Sequence, residues 1–471
     1  MKDKIEAQRK KIEKGNPILD LVAPCQINDG IESLNSENAE YYLKLFEEKR
    51  TELDISFFVP ASGSGSRMFS ALFEVSQQDD PSEESRSIVN SFIENLRSFP
   101  FFDSQLDELA CDYKAGKVNK KAIIDYVITS EKGLQLGLSP KGLIPFHKYD
   151  NFTLNPFQEH LAQGSNIAGE NAGFHFTINA QFETEIKESL ESINKFHGTK
   201  FHYQFSEQDP ETDSVAFHPD LTPVKLENGE LLKRPAGHGA LLGNLNQIDA
   251  DIIFIRNIDN MQHMNKAETS LNTRKILGGA LLELSNEVHN VLSKIERSHA
   301  FESSLKTLNE KYDLRLSEKQ LLDSSHAYQA LNRPIRICGM VKNVGQPGGG
   351  PFWVNDAEGN PRRQIVEKSQ IIDNPDQVKL MEAATHFNPV ELVCSVRNYK
   401  GEKFDLNNFV DNDQYFIVHK THEGEDIVYL EEPGLWNGSM DQWITVFYEI
   451  ESECFSPVKT VMDLLESAHQ A

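Results

Sequence analysis

Residues 55–59 and the loop that follows them limit the possible folds of this chain more than any other stretch. Their sequence, ISFFV, is short and almost wholly apolar, and it stops at Pro60 before a loop rich in Gly and Ser. A strand that is buried on both faces of a parallel sheet has this composition. A helix is predicted to start near Arg67, so the loop 61–67 joins a buried strand to a helix.

Strand-like and helix-like stretches alternate further along the chain. Short apolar runs predict strands at residues 174–178, 201–205 and 252–255, and residues 183–196 predict a helix. Asn155, followed by Pro and then Gln at the capping-box position, suits the start of another helix. This alternation favours an α/β fold with a mainly parallel sheet flanked by helices.

Composition divides the chain into three predicted parts. Residues 1–52 carry charges at helical spacing and predict a helical N-terminal arm. Residues 53–335 form the predicted α/β core, in which the charged helical stretch at about 79–138 is interpreted as an insertion. Short strands with Gly/Pro turns, including the loop 345–353, predict a smaller α+β lobe over residues 336–471.

The charge balance excludes two classes of partner. Lys and Arg number 47 against 72 Asp and Glu, which gives a formal net charge of -25. Such a field repels nucleic acid and anionic membrane surfaces, so neither is an expected partner. Nucleotides and sugar phosphates are also anions, so a site for them needs a local cluster of cations or a metal ion.

Cysteine usage and hydropathy bear on the compartment. The five cysteines are odd in number, widely spread and never in a CxxC pair, which favours neither a disulfide framework nor a zinc site. The first residues, MKDKIEAQRKKIEKG, lack the apolar stretch of a signal peptide. No segment approaches the roughly 20 apolar residues of a membrane span. A cytoplasmic location is expected, and the oligomeric state is not indicated.

Three motifs place charged side chains where a phosphate or a metal ion can bind. PKG at residues 140–142 holds Lys141 in a segment shaped by Gly and Pro. The predicted strand DIIFIRNIDN ends in Asn257 and Asp259, at the edge where open α/β sheets bind ligands. SPVKTVMDLL sets Lys459 after a Pro and before an amphipathic helix. When each lysine is taken alone, a solvated lysine in a turn is the better explanation.

Two further motifs are weaker. RPAGHGA at residues 234–240 has two glycines around His238, which would permit a ligand to approach the backbone closely. Asp249 and Asp251 imitate the DxD motif of glycosyltransferases, but they precede the predicted strand instead of ending it.

In this order, the motifs resemble those of the eukaryotic-type UDP-sugar pyrophosphorylases, which are uridylyltransferases acting on sugar 1-phosphates. GSGSR at residues 63–67 is similar to the family's Gly-rich phosphate loop, and PKG is similar to its PKG segment. IFIRNIDN at 253–260 is close to the family's IF-x-x-N-x-DN strand end, which is the most specific single match. PVKTVMDLL at 457–465 resembles its PVKT-x-x-DLL ending, and PAGHGA at 235–240 looks like its PPGHGD loop. An uncharacterised bacterial domain family on the same core is the other identification that fits.

The resemblance implies a Rossmann-like nucleotidyltransferase fold of the GT-A type, with the smaller lobe binding sugar. It implies charge stabilisation by Arg67, Lys141 and Lys459, Mg²⁺ binding by Asp259, and sugar contacts by Asn257 and Glu367. The nucleotide contacts that it implies are Ala61, Ser62, Gly63, Ser64, Gly65, Ser66, Gln208, Gly237, His238 and Gly239.

The activity implied is the joining of a nucleoside triphosphate, UTP in this family, to a sugar 1-phosphate with Mg²⁺ and release of pyrophosphate. Such a reaction needs positioning and charge stabilisation, not a covalent nucleophile. The chain departs from the family in the Pro-Ala-Ser start of its first loop and in Ala240, where the family has an acid. These departures favour, as the alternative, a non-catalytic sugar-nucleotide-binding protein. A GT-A glycosyltransferase is the third interpretation.

Overall fold

The computed structural model describes residues 2–169, 172–197, 201–345, 348–371 and 374–471. Gln346 and Pro347 of the loop 345–353 lie outside the described residues. Within these ranges the α-helices are α1 (Lys2–Lys14), α2 (Ser36–Lys49), α3 (Ser70–Gln77), α4 (Glu83–Glu94), α5 (Ser104–Lys114), α6 (Lys120–Ile128), α7 (Pro156–Ala168), α8 (Glu183–His197), α9 (Leu242–Leu245), α10 (Glu268–Glu296), α11 (Glu302–Lys311), α12 (Glu318–Leu322), α13 (Ser324–Leu331) and α14 (Pro375–Glu382). Every helix in the described ranges is too short or too polar to cross a membrane.

The strands of the same ranges are β1 (Leu21–Pro24), β2 (Gln26–Ile27), β3 (Gly30–Glu32), β4 (Ile55–Pro60), β5 (His147–Lys148), β6 (Thr153–Leu154), β7 (Gly173–Thr177), β8 (His202–Ser206), β9 (Ser214–Val215), β10 (Lys233–Arg234), β11 (Ile252–Arg256), β12 (Ile335–Lys342), β13 (Gly350–Asn355), β14 (Pro361–Val366), β15 (His386–Phe387), β16 (Glu391–Ser395), β17 (Phe416–His422), β18 (Glu425–Glu431) and β19 (Ile444–Glu449). The fold is therefore of the mixed α/β class, as the sequence predicts.

The chain forms two compact units, each assembled from separate segments. The first unit contains Met1–Ser56, Gln208–Ile255 and Arg274–Ser452. The second unit contains Phe57–Glu207, Arg256–Thr273 and Glu453–Ala471. Each unit combines segments of the predicted core and of the predicted C-terminal lobe, so the domain boundaries near residues 52 and 335 stay a prediction.

The second unit is built on the strands that the apolar runs predict. β4, β7 and β8 are neighbours in that order, and β7 pairs with β8 in parallel. β4 is buried along its whole length except at Pro60. Phe57 stacks on Phe174 of β7 with ring centroids 5.1 Å apart. α7 begins after Asn155 with the predicted capping box, in which Gln158 returns the hydrogen bond. These local predictions are confirmed.

The helical stretch at about 79–138 belongs to the hydrophobic core of the second unit. It contains α4, α5 and α6, whose buried side chains include Phe92, Leu106 and Ile124. Val458, Val461 and Leu464 near the C-terminus belong to the same core. Full burial of one such aliphatic side chain stabilises a fold by roughly 1.5–3 kcal/mol. The helical stretch therefore supports the segment that carries Lys459.

The first unit contains a larger mixed sheet. Its strand order is β2-β3-β19-β12-β16-β11, and β15 pairs with β12. β12 runs parallel to β19 and antiparallel to β16. Helices cover this sheet: Phe46 of α2 meets Phe254 of β11 edge to face at 6.1 Å. α10 approaches α2 so closely that a Cβ at Gly279 would lie 2.0 Å from the carbonyl oxygen of Tyr42.

The N-terminal part differs from the helical arm that its charge spacing predicts. α1 and α2 are helical, but β1, β2 and β3 lie between them. β1 pairs with β13 and β3 pairs with β19, so these strands belong to sheets of the first unit. They have two to four residues each. Periodicity cannot show in so few residues, and pairing with distant strands determines their conformation.

Candidate functional site

The loop 61–67 is held at both ends in the second unit. The Ala61 N–H donates to the carbonyl oxygen of Thr177 at 2.9 Å, which fixes the start of the loop to β7. The chain then enters a 3₁₀ helix, Gly65–Phe69, and α3 starts only after it, slightly later than predicted. Gly65 has no room for a side chain, because a Cβ there would lie 2.7 Å from Ile144 Cδ1.

The middle of this loop is accessible. The exposed residues are Ser62, Gly63, Ser64, Ser66 and Arg67. A Cβ at Gly63 would meet no atom within 4 Å. Backbone N–H groups in a turn that leads into a helix attract anions. An anionic ligand can therefore approach the backbone at Gly63.

Lys141 lies beside the loop because the backbone on either side of Pro140 pairs with it. The Gly65 N–H donates to the Ser139 carbonyl at 2.9 Å, and the Lys141 N–H donates to the Gly63 carbonyl at 3.0 Å. Gly142 packs on the ring of Phe157 in α7, where a Cβ would lie 2.4 Å from Cε2. The PKG motif thus fixes the lysine next to the Gly-rich loop.

The residues after β11 pair with the C-terminal segment in the same unit. Asn260 and Pro457 form an antiparallel bridge, and the Val458 N–H donates to the Asp259 carbonyl at 3.1 Å. Lys459 follows directly on this pairing. The helix after it is a 3₁₀ helix, Val461–Leu465, and is shorter than the predicted amphipathic helix.

Two of the predicted lysines contact the same carboxylate oxygen of the predicted aspartate. Lys141 Nζ lies 2.7 Å and Lys459 Nζ lies 2.9 Å from Asp259 Oδ2. The side chains of Lys141 and Asp259 are 13% and 10% exposed, whereas that of Lys459 is 60% exposed. We refer to Lys141, Asp259 and Lys459 as the Lys-Asp-Lys triad. It combines two buried charges with one that solvent can reach.

In the triad, burial disfavours the charged forms of Asp259 and Lys141, and ion pairing favours them. Burial would raise the pKa of Asp259, but the charges of Lys141 and Lys459 outweigh burial and hold that pKa below its ordinary value. Burial lowers the pKa of Lys141, pairing with Asp259 opposes this effect, and the charges of Lys459 and Arg67 add to it. Two lysines pair with one carboxylate, and the charge of Arg67 also acts on Lys141. These groups leave a local excess of positive charge, which an anion site needs in a chain of net charge -25.

A divalent metal fits these residues in one way only. In the described ranges, no three His, Cys, Asp or Glu side chains are grouped so as to hold a metal ion. Asp259 provides one carboxylate, and its Oδ2 is paired with two ammonium groups. Mg²⁺ commonly takes one or two carboxylates together with substrate phosphates. The residues fit a metal that arrives on a nucleotide, and do not fit one held by the protein alone.

Another group of predicted residues lies in the first unit. His238 Nδ1 accepts the N–H of Leu435 at 2.9 Å, so a neutral ring carries its proton on Nε2. That nitrogen lies 3.4 Å from Glu367 Oε1. Trp436 stacks on the ring of His238, with centroids 4.3 Å apart. His238 therefore has a fixed tautomer and one covered face, and it offers an N–H donor beside a carboxylate.

The glycines on either side of His238 are needed for packing. Gly237 has a φ of +73°, and a Cβ there would lie 2.6 Å from Glu431 Oε2. At Gly239 a Cβ would lie 2.2 Å from the carbonyl oxygen of Pro433. Burial raises the pKa of Glu431, and the nearby His238 opposes this rise. The motif RPAGHGA thus packs against residues 431–436 whether or not a ligand binds.

The remaining predicted residues divide between the units. Gln208 belongs to the first unit, and its Nε2 is buried without a hydrogen-bond partner in the part of the chain that is described. Asn257 belongs to the second unit, where its carbonyl accepts the Asn260 N–H at 3.2 Å. Of the predicted site residues, those in the second unit are Ala61, Ser62, Gly63, Ser64, Gly65, Ser66, Arg67, Lys141, Asn257, Asp259 and Lys459, and those in the first are Gln208, Gly237, His238, Gly239 and Glu367.

The DxD-like pair has a structural role. Arg397 Nη2 lies 2.7 Å from Asp249 Oδ1, and its Nε lies 3.3 Å from Asp251 Oδ1. The Asp54 N–H also donates to Asp251 Oδ2 at 3.0 Å. Both carboxylates are therefore ion-paired with an arginine, which explains their spacing without a metal.

Sequence reasoning missed Trp436 and a buried group in the second unit. His147 Nδ1 lies 2.7 Å from Glu159 Oε1, and His147 Nε2 lies 3.0 Å from His469 Nδ1. All three side chains are buried. His469 lies 322 positions from His147 in the sequence, so no local pattern joins the three. Trp436 had one signal, its place beside Pro433 and Gly434, which are residues typical of turns.

The solved structures to which the chain is similar include a pyrophosphorylase, a phosphorylase and a CTP transferase by name. The uridine diphosphate N-acetylglucosamine pyrophosphorylase from Trypanosoma brucei is 12% identical, with 98% of this chain and 74% of that chain covered and a TM-score of 0.50. A UDP-glucose phosphorylase from Trypanosoma brucei is 13% identical over 96% and 72% of the two chains, at a TM-score of 0.45. The inositol-1-phosphate CTP transferase from T. maritima is 8% identical over 84% and 86%, at 0.31.

The likeness to the first of these structures shows the fold, which confirms the fold that the sequence motifs imply. Among curated proteins no match is found. The family model described as a domain of unknown function, DUF4301, matches residues 1–470, and the chain therefore belongs to this family.

Proposed function

We propose that this protein is a nucleotidyltransferase that joins a nucleoside triphosphate, UTP in the first instance, to a sugar 1-phosphate and releases pyrophosphate. The observation that carries the proposal is the Lys-Asp-Lys triad beside an accessible Gly-rich loop. Lys141 and Lys459 both lie within 2.9 Å of one carboxylate oxygen. The backbone of Lys141 is hydrogen-bonded to Gly63 of the loop. Cations next to a turn rich in backbone donors suit a polyphosphate.

The reaction requires charge stabilisation above all. An oxygen of the sugar 1-phosphate attacks the α-phosphorus, the bond from that phosphorus to the bridging oxygen breaks, and the electron pair leaves with pyrophosphate. Negative charge on the phosphate oxygens is stabilised by Lys141, Lys459 and Arg67. Mg²⁺ that arrives with the nucleotide would neutralise phosphate charge, and Asp259 is the residue that would hold it.

Ligand binding has a further requirement, namely that the two lysines exchange partners. Asp259 Oδ2 is paired with both ammonium groups. A phosphate that takes over the lysines frees this oxygen for a metal. The Lys459 side chain is 60% exposed and that of Lys141 is 13% exposed, so packing confines Lys459 less and it is the first expected to move.

In the first unit, the surroundings of His238 support a role in recognising an uncharged polar group such as a base or a sugar hydroxyl. Its Nε2–H and the Glu367 carboxylate offer a donor and an acceptor 3.4 Å apart. We propose that these two residues set substrate preference. Replacing either should change the KM for one substrate and leave kcat nearly unchanged.

The test is release of pyrophosphate by purified protein from a panel of nucleoside triphosphates and sugar 1-phosphates, with Mg²⁺ and with EDTA. We expect one pair to react with Mg²⁺ and the same pair to be silent with EDTA. The matched control is the variant Lys141→Met/Lys459→Met, which should lose this activity. Absence of pyrophosphate from every pair would exclude the proposal.

One observation favours a binding protein without turnover as the second candidate. Ala240 stands where the similar family has an acid, and it is buried, with 5% of its surface exposed. A chain that binds but does not react should be stabilised thermally by a nucleotide sugar and release no pyrophosphate. A glycosyltransferase has less support, because Asp249 and Asp251 are paired with Arg397.

A further inference from the structure

The position of Lys459 depends on the backbone that carries it. Its side chain has four rotatable methylene bonds and is 60% exposed, so packing around the side chain does not hold it. Its Nζ nevertheless lies 2.9 Å from Asp259 Oδ2. A flexible lysine finds a partner reproducibly only when its Cα is fixed. The residues that fix this backbone are therefore part of the site's construction.

On one side, Asn260 fixes the residues that precede Lys459. Asn260 is buried, with 1% of its surface exposed. Its Oδ1 accepts the Ser456 N–H at 2.9 Å, and its backbone forms the antiparallel bridge with Pro457. Because Asn260 is the neighbour of Asp259, these bonds bring the C-terminal segment to the carboxylate that Lys459 meets.

On the other side, Asp463 fixes Lys459 itself. Asp463 Oδ2 accepts the backbone N–H of Lys459 at 2.6 Å and that of Thr460 at 2.7 Å. Its Oδ1 accepts the Thr460 hydroxyl at 3.0 Å. The bond from the Thr460 N–H is one half of the capping box of the 3₁₀ helix Val461–Leu465, and the Thr460 side chain accepts the Asp463 N–H in the other half. One carboxylate thus holds the backbone of the lysine and of the next residue.

The apolar core prevents this segment from shifting as a whole. Val458 and Val461 stand on either side of Lys459, and both are buried in the core that α4, α5 and α6 form. Leu464 belongs to the same core. The core sets the depth of the segment, but apolar contacts do not determine its rotation. The hydrogen bonds of Asn260 and Asp463 supply that directional part.

We propose that Asp463 and Asn260 are positioning residues, which hold the backbone of Lys459 so that its ammonium group reaches Asp259 and, in turn, a substrate phosphate. The second half of this statement rests on the function proposed above. The first half does not, because it concerns only the contact between Lys459 and Asp259. Neither Asp463 nor Asn260 is itself required to touch a phosphate.

The experiment compares the chemical reactivity of single lysines in the full-length protein. Trinitrobenzenesulfonate modifies uncharged amines, and mass spectrometry gives the rate at each lysine. In Asp463→Ala we expect Lys459 to react at least threefold faster than in the parent protein, because its ammonium group is no longer held at Asp259. Asp463→Asn keeps one acceptor oxygen and should restore most of the protection. Lys132, an exposed lysine of the same unit, is the internal reference.

Glu466→Ala is the matched control, since Glu466 is an exposed carboxylate three residues further along. It should leave the rate at Lys459 unchanged. A rate in Asp463→Ala within the error of the parent, or an equal increase in Glu466→Ala, would overturn the proposal. Circular dichroism of each variant shows whether it is folded, and Asp463→Asn remains informative if the alanine variant is not.

A second measurement separates this inference from the proposed function. Inorganic pyrophosphate should slow modification of Lys459 in the parent protein and in Glu466→Ala. The factor by which it slows this modification should be at least fivefold smaller in Asp463→Ala. If pyrophosphate protects no variant, the proposed function fails while the difference in reactivity without ligand still stands. With an active substrate pair, Asp463→Ala should lower kcat and leave the KM for the sugar 1-phosphate within about twofold.

Discussion

Asp259 compensates the charges of both lysines of the triad. Both lysines of the triad use its Oδ2, and the Lys141 side chain is only 13% exposed. Removing one partner of a buried ion pair leaves the other charge uncompensated, which costs about 3–5 kcal/mol. We therefore expect Asp259→Asn to lower the free energy of unfolding by about 3 kcal/mol, measured by urea denaturation at neutral pH.

The control for this variant is Asp249→Asn. Asp249 is also paired with a cation, Arg397, but its side chain is 65% exposed. Pairs at the surface contribute about 0–1 kcal/mol because water screens them. Equal losses of stability in the two variants would contradict the view that burial makes the triad important.

Lys459 is expected to behave in the opposite way, with an effect on turnover and little effect on stability. Its side chain is 60% exposed, so Lys459→Met leaves Asp259 paired with Lys141. Losing one charge contact in the transition state typically slows a reaction roughly tenfold or more. Pyrophosphate release at saturating substrate measures this loss. Lys132→Met should have no effect, and a stable Lys459→Met with full activity would remove Lys459 from the site.

Single residues were predictable from sequence where a local motif contained them. Lys141, Asp259 and Lys459 each stand in a short pattern with a turn or a strand end, and the resemblance of these patterns to one family indicated their roles. Their convergence on one oxygen was not predictable, because it depends on pairing between residues about 200 positions apart. For the same reason no pattern indicated the contact between His147 and His469.

Among the elements, the buried strands were the easiest to predict and the short ones the hardest. β4, β7, β8 and β11 are apolar runs with clear ends, and the structure contains each within a residue or so of its predicted range. β1, β2 and β3 have two to four residues each and exist because distant strands pair with them. The sequence predicts helices that start near Arg67 and after Lys459, and the structure has short 3₁₀ helices there, capped by Ser64 and Thr460.

The buried side chain of His469 also holds the C-terminal segment in the second unit. Its burial makes the stability of the fold sensitive to acid. His469 is buried, stacks on His147 and lies near His263. His147 is hydrogen-bonded to His469 and to Glu159, and Glu159 accepts the Tyr149 hydroxyl. Burial, together with the charges of His147 and His263, lowers the pKa of His469 to about 3. An exposed histidine has a pKa near 6.5. Between these values the unfolded chain binds a proton here and the folded chain does not, so stability falls as the pH falls.

We therefore expect the parent protein to lose about 1.4 kcal/mol of unfolding free energy per pH unit below pH 6 relative to His469→Gln. Glutamine keeps an amide that can bond to His147 and has no titration in this range. Urea denaturation between pH 7 and pH 5 measures the difference. His202→Gln, at an exposed histidine of the same unit, should run parallel to the parent. Parallel curves for His469→Gln would show that His469 is not buried in its neutral form.

At the scale of the whole molecule, a local cation cluster works within a strongly acidic chain. The net charge is -25, so the long-range field repels an approaching nucleotide, while the triad and Arg67 attract it at contact distance. Salt screens these two effects differently. At 0.1 M ionic strength the screening length is about 10 Å, which weakens distant repulsion and leaves contacts of about 3 Å largely intact.

The rate of nucleotide association should therefore rise as salt is added, roughly threefold between 10 mM and 100 mM ionic strength, and level off above that. Stopped-flow fluorescence with a labelled nucleoside triphosphate measures this rate without requiring turnover. A chain whose local cations dominated at long range would show the reverse, a steep fall with salt. In Lys141→Met/Lys459→Met the rise should persist because it comes from the whole molecule, whereas the dissociation rate should increase because the contacts at the site are lost.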